Sequence, residues 1–128
     1  MAKITVLLVD DEKDFLNLMA VRIKSWGYEL TTAETGKEAI DIVKEGGTQM
    51  MVLDYMLPEM DGVSVLREIR KFDKKLPVIM FTAYPDTHAI DETKKLGISA
   101  FIPKLSTYSE VLPALKSALD MTAKKLST

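Results

Sequence analysis

The amino-acid sequence predicts an α/β domain, a doubly wound five-stranded parallel sheet with helices on both faces, and three observations carry that prediction. Four apolar runs, at residues 4–9, 50–53, 78–81 and 100–102, are too short for helices and too apolar for surface loops. Strands buried on both faces read this way. Helix-length amphipathic segments separate the runs, the alternation that a parallel sheet with right-handed crossovers requires. Each run ends at or beside a residue able to hold a metal or contact a phosphoryl group: Asp10 with Asp11, Asp54, Thr82, and Lys104. The carboxyl ends of parallel strands line one edge, and ligands bind in the crevice outside it, so these residues are expected to converge.

Each element has its own justification. After the first run, Phe15, Leu16, Met19, Ile23 and Trp26 recur at helical spacing and Gly27 supplies a C-terminal stop, which predicts the first helix. Residues 28–32 read as a short second strand. Thr35-Gly36-Lys37-Glu38 is a capping box that opens a helix running to about Lys44, and Gly46-Gly47 ends it. The third strand delivers Asp54, and a loop over 56–62 leads to a helix carrying Val65, Leu66 and Ile69. Pro77 opens the fourth strand, and Asp86 is placed to cap a helix ending at Leu96-Gly97. The fifth strand contains Pro103, which cannot donate to a ladder and so belongs at an edge. Thr107-Tyr108-Ser109-Glu110 is a second capping box, and Val111, Leu115, Ala118, Leu119 and Thr122 continue one face of a last helix. The domain is expected over 1–122, with 123–128 as a polar, fraying tail.

Composition narrows the function. A chain of 128 residues buries a core without staples, and with no cysteine it has neither a disulfide nor a thiolate metal site. Seventeen basic residues against nineteen acidic ones give a net charge of −2, without a like-charge block long enough for a nucleic-acid footprint. Direct nucleic-acid binding is not expected. The apolar runs fall short of a membrane span and the first residues lack signal-peptide architecture, so a cytoplasmic protein is expected.

The strand-end residues suggest a chemistry. Two like charges about 4 Å apart repel by roughly 4 kcal/mol at an effective dielectric near 20, so Asp10, Asp11 and Asp54 together call for a divalent cation. Oxygen ligands without cysteine or histidine point to Mg²⁺ or Mn²⁺. Lys104 would bring an ammonium and Thr82 a hydroxyl donor to the same edge, a set suited to neutralising phosphoryl oxygens. Asp54, alone at the end of a central strand, is the best candidate nucleophile.

Taken together, Val9-Asp10-Asp11-Glu12, Leu53-Asp54-Tyr55-Met56-Leu57-Pro58-Glu59-Met60-Asp61-Gly62, Phe81-Thr82-Ala83-Tyr84 and Phe101-Ile102-Pro103-Lys104 closely resemble the receiver domains of two-component response regulators. The resemblance covers nearly the whole chain and is chemotaxis-regulator-like. It implies the flavodoxin-like strand order 2-1-3-4-5, an Mg²⁺ site, and phosphoryl transfer to Asp54 from a sensor histidine kinase or phosphotransfer protein. By the same resemblance Asp10, Asp11, Asp54 and the backbone carbonyl of Met56 serve the metal, Thr82 and Lys104 contact the phosphoryl oxygens, and Phe101 is the switch aromatic. A downstream effector domain or protein is implied, as is a homodimer through the face of the fourth helix, fifth strand and fifth helix. The resemblance implies a domain that catalyses its own phosphorylation and dephosphorylation without being a conventional turnover enzyme. Met56 and Tyr84 match the positions that flank the path of hydrolytic water. The chain departs from the family pattern after Lys104, where Leu105 stands in place of the usual proline. A cis bond without proline costs roughly 2.5–4 kcal/mol, so the conformation of the Lys104-Leu105 bond is left open.

Plainer readings exist for single residues. Asp11 could cap the first helix, with Glu12 and Asp14 favouring its dipole, and Thr82 could be only a β-former. Asp61-Gly62 reads as a turn and helix start, and the many methionines as core filler. His88 reads as a solvated surface residue. Three alternatives compete at the level of function. A haloacid-dehalogenase-like phosphatase needs a second aspartate two residues after the nucleophile, where this chain has Met56. A flavodoxin needs a phosphate loop where this chain has Asp-Asp-Glu. The remaining alternative is a receiver-like binding module that is not phosphorylated.

Overall fold

A computed structural model of the chain describes residues 3–83, 87–103 and 108–126, with the side chains of 87, 89 and 108–110 left undescribed. Strands β1 (Thr5–Val9), β2 (Glu29–Ala33), β3 (Met50–Asp54), β4 (Val78–Thr82) and β5 (Ala100–Pro103) alternate with helices α1 (Lys13–Ser25), α2 (Gly36–Glu45), α3 (Gly62–Arg70), α4 (Thr87–Lys95) and α5 (Tyr108–Leu126). All the strands are parallel and lie in the order β2-β1-β3-β4-β5, as the sequence predicts. Pro103 sits on an edge strand, where its missing N–H disturbs no inner ladder.

Strand side chains alternate between the two faces, and the core divides accordingly. Val6, Leu8, Met50, Val52, Ile79, Phe81 and Ile102 meet Phe15, Leu16, Met19 and Ile23 of α1 and Val111, Leu115 and Leu119 of α5. Leu7, Val9, Met51, Leu53, Val78 and Met80 meet Ala39 and Val43 of α2 and Val65, Leu66 and Ile69 of α3. Phe15 stacks on Phe81 with ring centroids 5.5 Å apart, tying α1 to the centre of the sheet. Met19, Met50, Met51 and Met80 are fully buried, whereas Met56 and Met121 are exposed.

Several boundaries differ from the sequence reading. Strand β2 begins and ends one residue later than 28–32, because Glu29 N–H pairs with the Ile4 carbonyl and sets the register Thr5 to Glu29. Tyr28 instead buries its ring and donates its hydroxyl to Asp120 Oδ1 at 2.6 Å, while Lys116 Nζ donates to Asp120 Oδ2 at 2.7 Å. Those two donors hold the Asp120 carboxyl below its ordinary range, Lys116 contributing most. Burial, then the neighbouring carboxylate, pushes the Tyr28 hydroxyl above its own. At α2, Thr35 Oγ1 accepts Glu38 N–H at 3.1 Å and Glu38 Oε1 accepts Glu34 N–H at 2.7 Å, so the capping box reaches one residue further back than Thr35. The tail expected from Ala123 onward is instead helical to Leu126, since Ala123 packs against the α1 and α5 side of the core. The cap expected at Asp86, the box at Thr107 and the Lys104-Leu105 bond lie outside the described residues.

Candidate functional site

Strand β1 does not stop cleanly at Val9. Asp10 N–H continues the ladder by donating to the Ala33 carbonyl at 3.1 Å, and Asp10 Oδ1 then accepts Glu12 N–H at 2.9 Å. That turn fixes the carboxylate at the strand end and starts α1. The residue flanking α1 is Glu12, which makes no side-chain cap, so Asp11 is not the cap and its exposed carboxylate is left at the sheet edge. Asp10 itself is buried.

Strand β3 carries Asp54 into the same edge. Tyr55 N–H donates to the Phe81 carbonyl at 3.0 Å, holding the chain against β4 one residue past the strand, and Asp54 Oδ1 accepts Met56 N–H at 3.2 Å. The following loop turns back sharply: Glu59 has a left-handed φ of 68°, and Gly62 N–H donates to the Tyr55 carbonyl at 2.7 Å. Asp61 Oδ1 then caps α3 by accepting Ser64 N–H at 2.8 Å. A Cβ on Gly62 would lie 2.7 Å from the Asp54 carbonyl oxygen and 2.8 Å from Tyr55 Cα, so only glycine lets α3 start this close to the strand end. The Asp61-Gly62 pair, read from sequence as a turn and helix start, thus sets the path of the backbone beside Asp54.

One ligand oxygen from each of Asp10, Asp11 and Asp54 can be chosen so that all lie within 4.8 Å of one another. Two of the three carboxylates are buried and the third is exposed. Oxygen-only donors gathered at one point, open to water on the Asp11 side, fit a hard divalent cation that keeps part of its water shell.

Thr82 is fully buried at the end of β4. Strand alternation puts it on the face of Val78 and Met80, and the register pairs Met80 with Phe101 and Thr82 with Pro103. Phe101 is therefore a diagonal cross-strand neighbour of Thr82 on one face, half-buried against the α2 and α3 side of the core. The side chain of Met56 is about half exposed beside the site. Lys104 and Tyr84 lie outside the described residues. His88 is exposed, on α4, with Nε2 3.0 Å from Glu92 Oε1, the surface position expected of it.

Comparison with known proteins agrees with this geometry. The family model for the response regulator receiver domain matches residues 6–116. The chain is 31% identical over 125 residues to the uncharacterized transcriptional regulatory protein YkoG of Bacillus subtilis (strain 168), covering 98% of this chain and 55% of that protein. It is 29% identical over 119 residues to the transcriptional regulatory protein ZraR of Escherichia coli (strain K12), covering 93% of this chain and 27% of that protein. The chain thus spans between about a quarter and about half of the length of these relatives. Among solved structures, a CheY-like response regulator receiver domain protein from Methanospirillum hungatei JF-1 superposes with a TM-score of 0.85 at 25% identity, covering 97% of this chain and 99% of that one. The receiver domain of the Francisella response regulator 1452 does so with a TM-score of 0.86 at 27% identity, over the same shares of the two chains. Strand order, matched residues and structural likeness agree, and the chain belongs to the response regulator receiver domains of two-component systems.

Proposed function

We propose that this chain is a phosphorylation-dependent signalling switch in which Asp54 accepts a phosphoryl group from the phosphohistidine of a sensor histidine kinase or phosphotransfer protein. The observation that carries this reading is the gathering of Asp10, Asp11 and Asp54 within 4.8 Å at the carboxyl edge of the sheet. Asp10, Asp11, Asp54 and the Met56 backbone carbonyl would hold Mg²⁺ or Mn²⁺. When bound, such a cation neutralises the carboxylates and the oxygens of an incoming phosphoryl group.

An Asp54 carboxylate oxygen forms the new O–P bond as the donor's P–N bond breaks, and the departing imidazole nitrogen keeps that electron pair and takes a proton. Attack by Asp54 is supported by the Met56 N–H, which holds Oδ1, and by the turn closed by Gly62, which fixes the backbone that follows. Thr82 and Lys104 contact the transferred oxygens. Movement of the Thr82 hydroxyl toward them opens space on the face it shares with Phe101, whose ring fills it. The surface of α4, β5 and α5 then differs between states and engages an effector or a second copy. No helix among the described residues is long and apolar enough to cross a membrane, and we place the switch in the cytoplasm.

Acetyl phosphate should label the protein only when Mg²⁺ or Mn²⁺ is present, and Asp54→Asn should abolish labelling. An adduct undiminished in that variant, measured by mass spectrometry, would remove Asp54 as the acceptor.

A further inference from the structure

Among the described side chains of helix α4, Thr93 is fully buried, and its hydroxyl donates to the Ile90 carbonyl of the same helix. Just after the helix, Leu96 and Ile98 pack against the α2 and α3 side of the core. Further up, Arg67 of α3 pairs with Glu92, which also receives exposed His88, an ion pair at a solvated surface and therefore a weak tether.

The C-terminal end is different. Arg70, the last residue of α3, sends Nε to the Leu96 carbonyl at 2.7 Å and Nη2 to the Gly97 carbonyl at 3.2 Å, both acceptors that a helix end leaves without partners. The same guanidinium donates through Nη1 to the Asp73 carbonyl at 3.1 Å and through Nη2 to the Leu76 carbonyl at 2.9 Å. Asp73 Oδ1 accepts the N–H groups of Lys75 and Leu76, each at 3.0 Å, which shapes the loop so that its carbonyls face the arginine. One planar side chain therefore joins α3, the loop before β4 and the end of α4. Burial draws its pKa below the ordinary arginine value against the opposing charge of Asp73.

We propose that Arg70 is a positioning residue of the switch: it pins the C-terminal end of α4 to α3, so that a rearrangement begun at Thr82 is expressed at the opposite, N-terminal end of the helix. The inference rests on the phosphorylation reading above. A rigid fork bound to carbonyls of two elements makes a fixed point, and a helix fixed at its C-terminal end swings farthest at its N-terminal end.

The test follows amide chemical shifts and hydrogen exchange along α4 of the 128-residue chain with Mg²⁺, with and without beryllofluoride as a phosphoryl mimic, in wild type, Arg70→Met and Arg70→Lys. In wild type the response should be confined to residues 88–92 and fade before Leu96 and Gly97. In Arg70→Met, which keeps the stem and removes the donors, the response should reach Gly97, and basal exchange there should rise on the order of tenfold as charge-assisted hydrogen bonds are lost. Labelling of Asp54 by acetyl phosphate should persist. Arg70→Lys keeps the charge but cannot grip both elements at once, and should give an intermediate spread. A wild-type response of full size at Gly97 would overturn the proposal even if neither variant folded. So would a destabilised Arg70→Met whose response stays confined to 88–92, since the arginine would then be only structural. Absence of a bound-beryllofluoride fluorine signal in wild type would overturn the phosphorylation reading and this one with it, whereas bound mimic with a uniform α4 response overturns this one alone.

Discussion

Replacing Asp10 by asparagine tests the electrostatics of the site more directly than any change in activity. Asparagine keeps the Oδ1 acceptor for Glu12 N–H and nearly the same volume while removing the negative charge. With ligand oxygens within 4.8 Å of one another, each carboxylate pair repels by at least about 3.5 kcal/mol at an effective dielectric near 20. Asp10 takes part in two such pairs. Water entering past the exposed Asp11 side chain weakens both, and relief of about 2 kcal/mol is a conservative expectation. For a domain of this size that corresponds to a rise of about 6–10 °C in melting temperature. Thermal unfolding should therefore show Asp10→Asn melting above wild type in EDTA at low ionic strength. A cation at 100 times its dissociation constant stabilises the folded wild type by about 2.7 kcal/mol, and the variant, lacking one ligand, should gain far less. The difference between the two proteins should then close or reverse in Mg²⁺. A variant that melts at or below wild type in EDTA would show that the carboxylates do not strain one another, and the case for a cation would lose its physical basis.

Gly62→Ala should destabilise the protein by about 1–3 kcal/mol and weaken Mg²⁺ affinity, because the added Cβ meets backbone atoms of Asp54 and Tyr55 that cannot yield without moving the loop; unchanged melting and metal titration would refute the close-approach argument. The raised Tyr28 pKa favours the protonated folded state, so its contribution is intact below the ordinary tyrosine value of 10.0 and declines as pH rises above it. Denaturant unfolding at pH 8 and pH 11 should show that decline, and Tyr28→Phe should flatten it; an equal decline in the variant would assign it elsewhere. Replacing Met56 and Tyr84 together by alanine should shorten the lifetime of phosphorylated Asp54 by opening the path of in-line water, and an unaltered decay rate would reject shielding by these side chains.

The strands were legible because doubly buried strands must be apolar along their whole length, and runs such as 50–53 allow few other interpretations. Strand β2 is the instructive exception. Its outer position leaves Glu29 exposed, and a half-wet strand gives a weaker boundary than a buried one, hence the one-residue shift. The helical continuation to Leu126 was hidden by polarity: lysines at 124 and 125 look like a tail, yet they are good helix formers once Ala123 finds the core. The acidic cluster could be read from strand ends alone, since parallel topology brings them together. Arg70 could not. Its acceptors at Leu96 and Gly97 are 26 and 27 residues away, and nothing in a basic residue at a helix end announces a partner at that distance.

The alternation that splits the core has a mechanical meaning. Neighbouring strand positions such as Phe81 and Thr82 back onto different layers, Phe81 onto α1 and α5, Thr82 onto the side of Phe101 and the α2 and α3 core. The sheet is a partition between two compartments, and the described buried apolar side chains on its two sides form separate clusters. Tightening the aromatic stack of Phe15 on Phe81, or the Tyr28 tie to Asp120, stiffens one compartment without restraining the other. Robustness and responsiveness can thus be adjusted separately by changing even or odd positions along the same strand.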